Sequence, residues 1–483
     1  MKTKLHHLCI LLALFAGVHQ AAAQIPSFPI TTPTNVLELE IPGGVASSGS
    51  NYLVGIGLND TNVCLQLASS NGVMIGSLFT VGASEGEPRL AFGKTNYLAF
   101  WGDDYISGAV DLYGQLVSSS GAKVGSAFPL VANLSLATTG FQAEQAIAFD
   151  GTNFLVVWEY ETESSSAFYG QLVTPAGALS GSEFLIGSTV TGSGSNPSND
   201  EKTALAFGTT NYLFVWQIKA SDTPEEWSTF GAFISRSGSV SGSFAISQTN
   251  SPSYNPLSVA FDGTNYLAVW NRDTGPGYPS PTMWNIDARL VSPNGTFPGN
   301  ELTLATNQAI TPSIAFDGAN YLLNWIWSSQ TNSTTQFPMF YQFLNRSASP
   351  IGPAFTIFPL GTNNFGLNNV IFGGNKFLAG AALGTAMFGA NGNPTNFLSI
   401  GVEGAFIPAS TTPPTLTASN LVGTQFPLQL TGTPGINYAI LFSTNLALSN
   451  WTAVVTNSLT NGVFSFTDNH ATNASRFYRA VKQ

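Results

Sequence analysis

Chemistry in this chain has to come from carboxylates and aromatic rings, because little else is present. Of four histidines, His6, His7 and His19 lie close to the N-terminus, and His470 stands alone near the other end. That excludes multi-histidine metal sites and leaves histidine catalysis one place to be. The two cysteines are Cys9, in the apolar N-terminal run, and Cys64. Cys64 sits in Val63-Cys64-Leu65, which reads as a strand, so a buried thiol is expected and no disulfide framework. Acids come in groups: Asp103-Asp104, Glu159/Glu161/Glu163, Glu225-Glu226 and Asp273. Glycoside cleavage needs two carboxylates at a set separation, so these are the residues an enzyme would use. Charged loops on an apolar scaffold are ordinarily just solvated, and no catalytic residue is assigned. The aromatics are more suggestive. Trp227, Trp284 and Trp327 stand apart from the other tryptophans, with Tyr160, Tyr278 and Phe337 in the same kind of segment. An exposed ring offers a flat apolar face that suits a sugar or a protein partner. The competing reading folds these rings down onto the scaffold.

The scaffold is a repeat. Its clearest copy is AFDGTNFLVVW, Ala148 to Trp158, with an aromatic before the turn, another five residues on, and a Trp four residues later. The pattern recurs as Phe92/Tyr97/Trp101, Phe149/Phe154/Trp158, Phe207/Tyr212/Trp216, Phe261/Tyr266/Trp270 and Phe316/Tyr321/Trp325. Phe372/Phe377 is a further copy with Ala381 at the Trp place, and Ser47/Tyr52 a degenerate one with Ile56 there. From Tyr52 the second aromatics lie 45, 57, 58, 54, 55 and 56 residues apart. A steady period in this range marks a repeat architecture.

Each copy reads as a hairpin. Runs such as Ala146-Ile147-Ala148-Phe149 and Phe154-Leu155-Val156-Val157-Trp158 are rich in β-branched and aromatic residues, and Asp150-Gly151-Thr152-Asn153 between them is a turn. Successive rather than alternate residues are apolar, so both faces of each strand must be covered. Sheets stacked on similar sheets do this. Each unit adds a third strand, such as Tyr169–Val173, and a fourth, such as Glu183–Ile186. The expected fold is therefore all-β: a seven-bladed β-propeller of four-stranded antiparallel blades, followed by a small C-terminal β-sandwich.

Domain limits follow from composition. Residues 1–23 read as a signal peptide: Lys2 and Lys4, an apolar core from Leu8 to Val18, and Ala21-Ala22-Ala23 before the cut. That core has 11 residues, too few to span a bilayer, and no membrane span is expected elsewhere. A secreted or cell-surface protein is expected. Without the leader the chain holds 13 Lys and Arg against 26 Asp and Glu, which speaks against nucleic acid as a partner. Residues 24–407 hold the propeller, 408–414 a Pro/Thr linker and 415–483 the sandwich, with Trp451, Phe464, Phe466 and Tyr478 as expected core. The last propeller unit lacks a fourth strand. The reading adopted is that Asn35–Ile41 supplies it by pairing with Val402–Ile407, closing the ring and removing two open edges. The alternative is Phe397–Ile400.

On these residues the repeats resemble the FDGTNYLVVW-type propeller repeats of large secreted bacterial proteins. The tail, with Ser443-Thr444-Asn445-Leu446, Trp451, Phe466-Thr467-Asp468 and Arg476-Phe477-Tyr478-Arg479, looks like a β-module at the C-terminal end of exported proteins. The resemblance implies fold and export, with no catalytic motif. Two other propeller chemistries are excluded by the residues. Sialidase-type Asp-box turns and a clustered set of arginines are missing, and so are Asp-x-Asp-x-Asp-Gly calcium loops. Asp150, Asp262 and Asp317 are single turn acids, so no metal and no cofactor is expected.

Function tends to sit on variable loops held by a rigid scaffold. The first-to-second-strand turns are short and uniform. The irregular connections share the opposite end of the ring, and they carry the acids and spare aromatics. The expected function is non-catalytic binding of a polysaccharide or protein ligand on that face. Trp227, Trp284, Trp327, Tyr160 and Tyr278 would contact the ligand, and Glu87, Glu144 and Lys202 would ring the channel mouth. A polysaccharide-degrading enzyme and a structural surface protein are the alternatives.

Overall fold

The computed structural model of the chain describes residues 27–31, 40–58, 61–83, 88–103, 111–131, 141–161, 166–189, 203–222, 225–248, 257–274, 284–306, 308–327, 329–331, 334–336, 338–358, 364–388, 394–409, 415–418, 425–431, 437–444, 451–458, 463–469 and 476–482. These residues form seven four-stranded antiparallel sheets, the blades of a propeller. Their first strands are Glu40–Ser47, Arg89–Gly93, Phe141–Phe149, Thr203–Phe207, Leu257–Phe261, Ala309–Phe316 and Asn364–Gly373 in blades one to seven. Each first strand neighbours that of the next blade, and the seventh neighbours the first, so the circle closes. No helix among the described residues is long and apolar enough to cross a membrane.

The continuous apolar runs are explained by stacking. Phe154, Leu155, Val156, Val157 and Trp158 are all buried. Phe154, Val156 and Trp158 pack with Leu98, Phe100 and Leu116 of blade two, whereas Leu155 and Val157 pack with Tyr212, Phe214 and Trp216 of blade four. The whole core follows this rule, with one apolar cluster at each junction between adjacent blades. Trp158, Trp216, Trp270 and Trp325 are buried against the preceding blade, as expected. The indole of Trp101 lies so close to Gly82 of blade one that a Cβ there would sit 2.5 Å from its ring.

The third-strand glutamines have a structural task. The Nε2 of Gln115 donates to the carbonyls of Leu116, Val124 and Gly125 at 2.9, 3.3 and 3.3 Å, and Gln171 repeats this on Leu172, Ser180 and Gly181. Each bond set holds a fourth-strand bulge built on a left-handed glycine, Gly125 at φ 70° and Gly181 at φ 74°. Such bulges bend the outer edge of a blade away from edge-to-edge pairing.

Ring closure uses the chain's N-terminal part, but not the expected strand. Ser27–Pro29 is the fourth strand of blade seven, with Ser27, Phe28 and Pro29 opposite Ala405, Gly404 and Glu403. Ile30 N and Thr31 N then donate to Val402 O at 2.8 and 3.1 Å. Glu40 and Ile41 instead pair with Leu58 and Gly57, in the first strand of blade one. The reason is stoichiometric: blade one needs its own first strand, and Glu40–Ser47 is the segment directly before its turn. Phe397–Ile400 is not a separate strand either; it is part of Pro394–Pro408, which pairs along Lys376–Phe388.

The C-terminal residues form two three-stranded sheets. One contains Thr415–Ala418, Phe426–Thr431 and Val463–Asp468; the other contains Thr452–Ser458, Asn437–Ser443 and Phe477–Lys482. Between them lie Leu428, Leu430, Tyr438 and Ile440, with Phe464, Phe466 and Tyr478 packed alongside. Trp451 is not in this core. It is half-buried with the Arg479 guanidinium 4.3 Å above its ring, because it stands just before its strand rather than on its inward face.

Candidate functional site

The two ends of the ring differ in what their polar groups are committed to. At the turn end, Asp150 Oδ1 accepts from Thr152 N at 2.6 Å and Asn153 N at 2.7 Å, and Gly151 takes φ 89°. Asp262 and Asp317 bind their own turns in the same way. These acids are turn residues, and no group of three or more potential metal-ligating side chains occurs among the described residues. At five of the seven junctions a phenol also bonds one blade's turn to the next blade. Tyr97, Tyr212, Tyr266 and Tyr321 donate their hydroxyls to the carbonyls of Asn51, Asn153, Asn211 and Asn265. Tyr52 ties the last blade to the first by donating to Gly373 O at 2.7 Å and Lys376 O at 2.9 Å. Burial pushes all five phenols up, and the Asp150 carboxylate beside Tyr212 and that of Asp262 beside Tyr321 push two of them further. This end of the ring is joinery.

The opposite end carries the acids and spare aromatics. Second and third strands overrun the expected lengths there: Phe154–Glu161 in blade three, and Asn211–Asp222 with Glu225–Ser235 in blade four. Several residues expected on loops are therefore strand residues. Strand alternation then fixes which junction each one faces. Tyr160 has the parity of Trp158 and faces blade two; it meets Tyr169 edge-on at 6.4 Å. Trp227 has the parity of Phe233 and faces blade five. Trp284 shares its parity with Ile286 and faces blade six, while Trp327 shares its own with Trp325 and faces blade five.

The predicted aromatics are thus divided over three junctions, and only Trp284 and Trp327 are brought to the same one. Trp227 is corrected from an exposed stacking residue to a buried one. It is 6 % exposed, opposite Lys219 in a long hairpin. Trp284 and Trp327 are half-buried, opposite Asp273 and Ala309. Tyr160 is half-buried opposite Ala167. Glu144 lies opposite Trp158, next to a register shift in the first strand of blade three. Its side chain, and the whole of Glu87, Lys202, Tyr278, Phe337 and His470, lie outside the described residues.

The junction of blades five and six has a polar floor that the sequence reading passed over. Asn271, directly after Trp270, is 1 % exposed. Its Nδ2 donates to Ala309 O at 2.8 Å and to Asn285 O at 3.2 Å, and its Oδ1 accepts from Thr311 N at 2.7 Å. Asp273, on the same face of the strand, is also buried. A signal was available: the residue after the repeat Trp is Glu159, Gln217 and Asn271 in blades three to five, polar where the repeat is otherwise apolar.

The carboxylates do not converge. Glu159 follows the parity of Val157 and faces blade four, while Asp273 faces blade six. Asp287 lies on the other side of blade five's sheet. There it pairs with Arg272 Nε and accepts from Thr303 Oγ1 at 2.7 Å. Arg289 beside it donates to Ile246 O at 2.6 Å and stacks 3.6 Å over Phe297; burial pulls its guanidinium below the usual range. The side chains of Asp103, Glu161, Glu225 and Glu226, and all of Asp104 and Glu163, lie outside the described residues. Among the described acids no pair shares a junction on this face.

No family model matches the chain, and no curated protein does. Solved structures similar to it include an ulvan lyase of a polysaccharide lyase family, at 9 % identity over 79 % of this chain and 94 % of that one, with a TM-score of 0.47. An α-L-arabinofuranosidase of Fusarium graminearum is 11 % identical over 79 % and 98 %, TM-score 0.41. The β-propeller domain of a protease from Pyrococcus furiosus is 6 % identical over 71 % and 91 %, TM-score 0.38.

Proposed function

We propose that the protein is an exported, non-catalytic binding protein that holds a polysaccharide on the loop-rich end of its propeller. One observation carries the reading. At the turn end the described acids hold their own turns and the phenols bond across junctions, whereas the opposite end presents the half-buried rings of Tyr160, Trp284 and Trp327. Trp284 and Trp327 supply the main rings of the binding surface, with Tyr160 further round the face. A flat apolar ring next to buried amide and carboxylate groups suits a sugar, which has an apolar C–H face and a rim of hydroxyls. Glu159 and Asp273 face different junctions, so these two do not flank one bond as the carboxylates of a hydrolase do. Export rests on the leader-like residues 1–23 and on the resemblance of the repeats to those of secreted bacterial proteins.

A glycan array with the whole secreted chain tests this. Binding of at least one polysaccharide without shortening of the bound chain is expected. Release of reducing ends would replace the reading with an enzymatic one, and an empty array would end it.

A further inference from the structure

The turn end, which joins the blades, also carries a charge that the chain as a whole does not. The sequence holds 26 Asp and Glu against 15 Lys and Arg. Yet among the described residues, every exposed charged side chain on the turns and adjoining strand ends of this end is a cation: Lys94, Lys123, Arg236 and Arg346. Lys376, beside the turn of blade seven, is half-buried, and its Nζ donates to Ser70 O at 3.2 Å. The acids here are Asp150, Asp262 and Asp317. All three are buried, and each holds the N–H groups of its own turn.

Two of the cations are fixed by one recurring device. Arg236 and Arg346 follow the third strands of blades four and six, in the turns that lead to the fourth. Each guanidinium lies over the first repeat aromatic of its own blade, Phe207 at 4.8 Å and Phe316 at 5.0 Å. One nitrogen, Nη2, donates to a carbonyl of the first turn: Thr209 O at 3.2 Å and Gly318 O at 2.9 Å. Ring and carbonyl hold the guanidinium in place while the side chain stays exposed, and no carboxylate among the described residues pairs with it. A held guanidinium with N–H groups to spare suits the two parallel bonds that bind a carboxylate or sulfate. The acids of the loop-rich end do not cancel this field. An eight-residue strand such as Phe154–Glu161 spans about 26 Å, about three Debye lengths at physiological salt.

We propose that the turn end is a second binding face, and that it takes an anionic polysaccharide whose acid groups meet Arg236 and Arg346. The inference is independent of the reading of the loop-rich end. The partner follows from how the cations are placed. They are distributed over blades two, four, six and seven rather than gathered in one pocket, so a ligand must be extended to reach more than one of them. The turns between them, such as Ser118-Ser119-Ser120-Gly121 and Gly208-Thr209-Thr210, offer hydroxyls that match those of a sugar. A lipid surface fits less well, because membrane attachment draws on a continuous apolar face. The exposed apolar side chains near these turns are single aliphatics on separate blades, Val73, Val124 and Ile351.

The test is biolayer interferometry of the whole chain over immobilised polygalacturonate. Fully methyl-esterified polygalacturonate supplies the same backbone without charge, and phosphatidylglycerol vesicles supply a different anionic surface. Binding to polygalacturonate is expected, at least tenfold weaker to the ester, and weakening as salt is raised. Arg236→Gln with Arg346→Gln should lower it at least tenfold at an unchanged melting temperature. If that pair unfolds, Lys94→Gln with Lys123→Gln should give a smaller loss, at least twofold. Trp284→Ala with Trp327→Ala, at the other end of the ring, should leave it unchanged. Equal binding to acid and ester, or undiminished binding by the folded glutamine variants, overturns the proposal. Binding to vesicles alone overturns the class of partner. Loss of polygalacturonate binding in the folded Trp pair moves the anionic ligand to the loop-rich end and overturns this face. No binding to either anionic surface overturns the proposal and leaves the glycan-array test of the loop-rich end untouched.

Discussion

Replacing Tyr52 with Phe removes the one phenol that ties the last blade to the first. Its hydroxyl donates to Gly373 O and Lys376 O at 2.7 and 2.9 Å, and the side chain is fully buried. A neutral hydrogen bond contributes about 0.5–1.5 kcal/mol net, and an acceptor left unpaired in a buried place costs about 1–3 kcal/mol. With two carbonyls deprived of one donor, Tyr52→Phe should cost about 2 kcal/mol, within that range. Tyr321→Phe provides the contrast. Its hydroxyl meets Asn265 O at 3.4 Å, near the limit of a hydrogen bond, and lies beside the Asp262 carboxylate, so its loss should cost about 1 kcal/mol, half as much. The ring changes shape in neither variant, so packing is held constant. Urea unfolding followed by tryptophan fluorescence reads the difference as a shift in midpoint at unchanged slope. Equal midpoints for the two variants would refute the argument, because the phenols would then act only as apolar rings. Blades three and seven already carry Phe154 and Phe377 at this position, so a ring without the hydroxyl is compatible with the fold.

Trp216→Ala should cost about 3–5 kcal/mol, as for large aromatics in cores. Trp216→Phe should cost much less, since the indole N–H is buried without a partner, and urea midpoints compare the two. The raised phenols make stability pH-dependent at the alkaline end. Their folded pKa values lie above the unfolded value of about 10, so the contribution is complete below pH 10 and falls as pH rises beyond it. A melting temperature that stays level from pH 9 to 11 would contradict this. Thr311→Gly should raise the melting temperature by relieving the left-handed backbone. A lowered melting temperature would show that the left-handed backbone is not a source of strain.

The fold was legible because each junction repeats one simple demand. A strand with Phe154, Val156 and Trp158 on one face and Leu155 and Val157 on the other has to be covered twice, and stacked sheets are the economical way to do it. The closing strand was harder. Asn35–Ile41 has the stronger strand composition, yet its last residues are taken by blade one. Ser27–Pro29 is short and contains a proline, which a strand tolerates at an edge where no N–H is required. Propensity ranked the two segments; chain connectivity decided between them. The tyrosine hydroxyls were also missed. Tyr and Phe alternate at one repeat position, and nothing local says that the oxygen has a carbonyl in the preceding blade to reach.

The site was less legible for a related reason. Sequence position separates Trp227, Trp284 and Trp327 equally from the repeat, but a strand residue is aimed by parity, and parity depends on how far the hairpin extends. Blade four's hairpin continues to Asp222 and Glu225, so Trp227 is a buried strand residue. In blade five the second strand ends at Asp273 and the third begins at Trp284, which leaves that ring at the end of its strand and half open. In blade six the second strand ends at Trp327, and the chain goes on as a short ribbon of Ser329–Thr331 against Thr334–Gln336. Trp284 and Trp327 thus face one junction from adjacent blades, each half-buried, whereas Trp227 is buried. Asn271 closes the same junction by polar bonds to Ala309 O and Thr311 N, where Ile326 closes the corresponding place in blade six by apolar packing. A search of repeat chains for a polar residue directly after the repeat Trp, in a blade whose third strand opens on an aromatic, would locate such junctions without a structure.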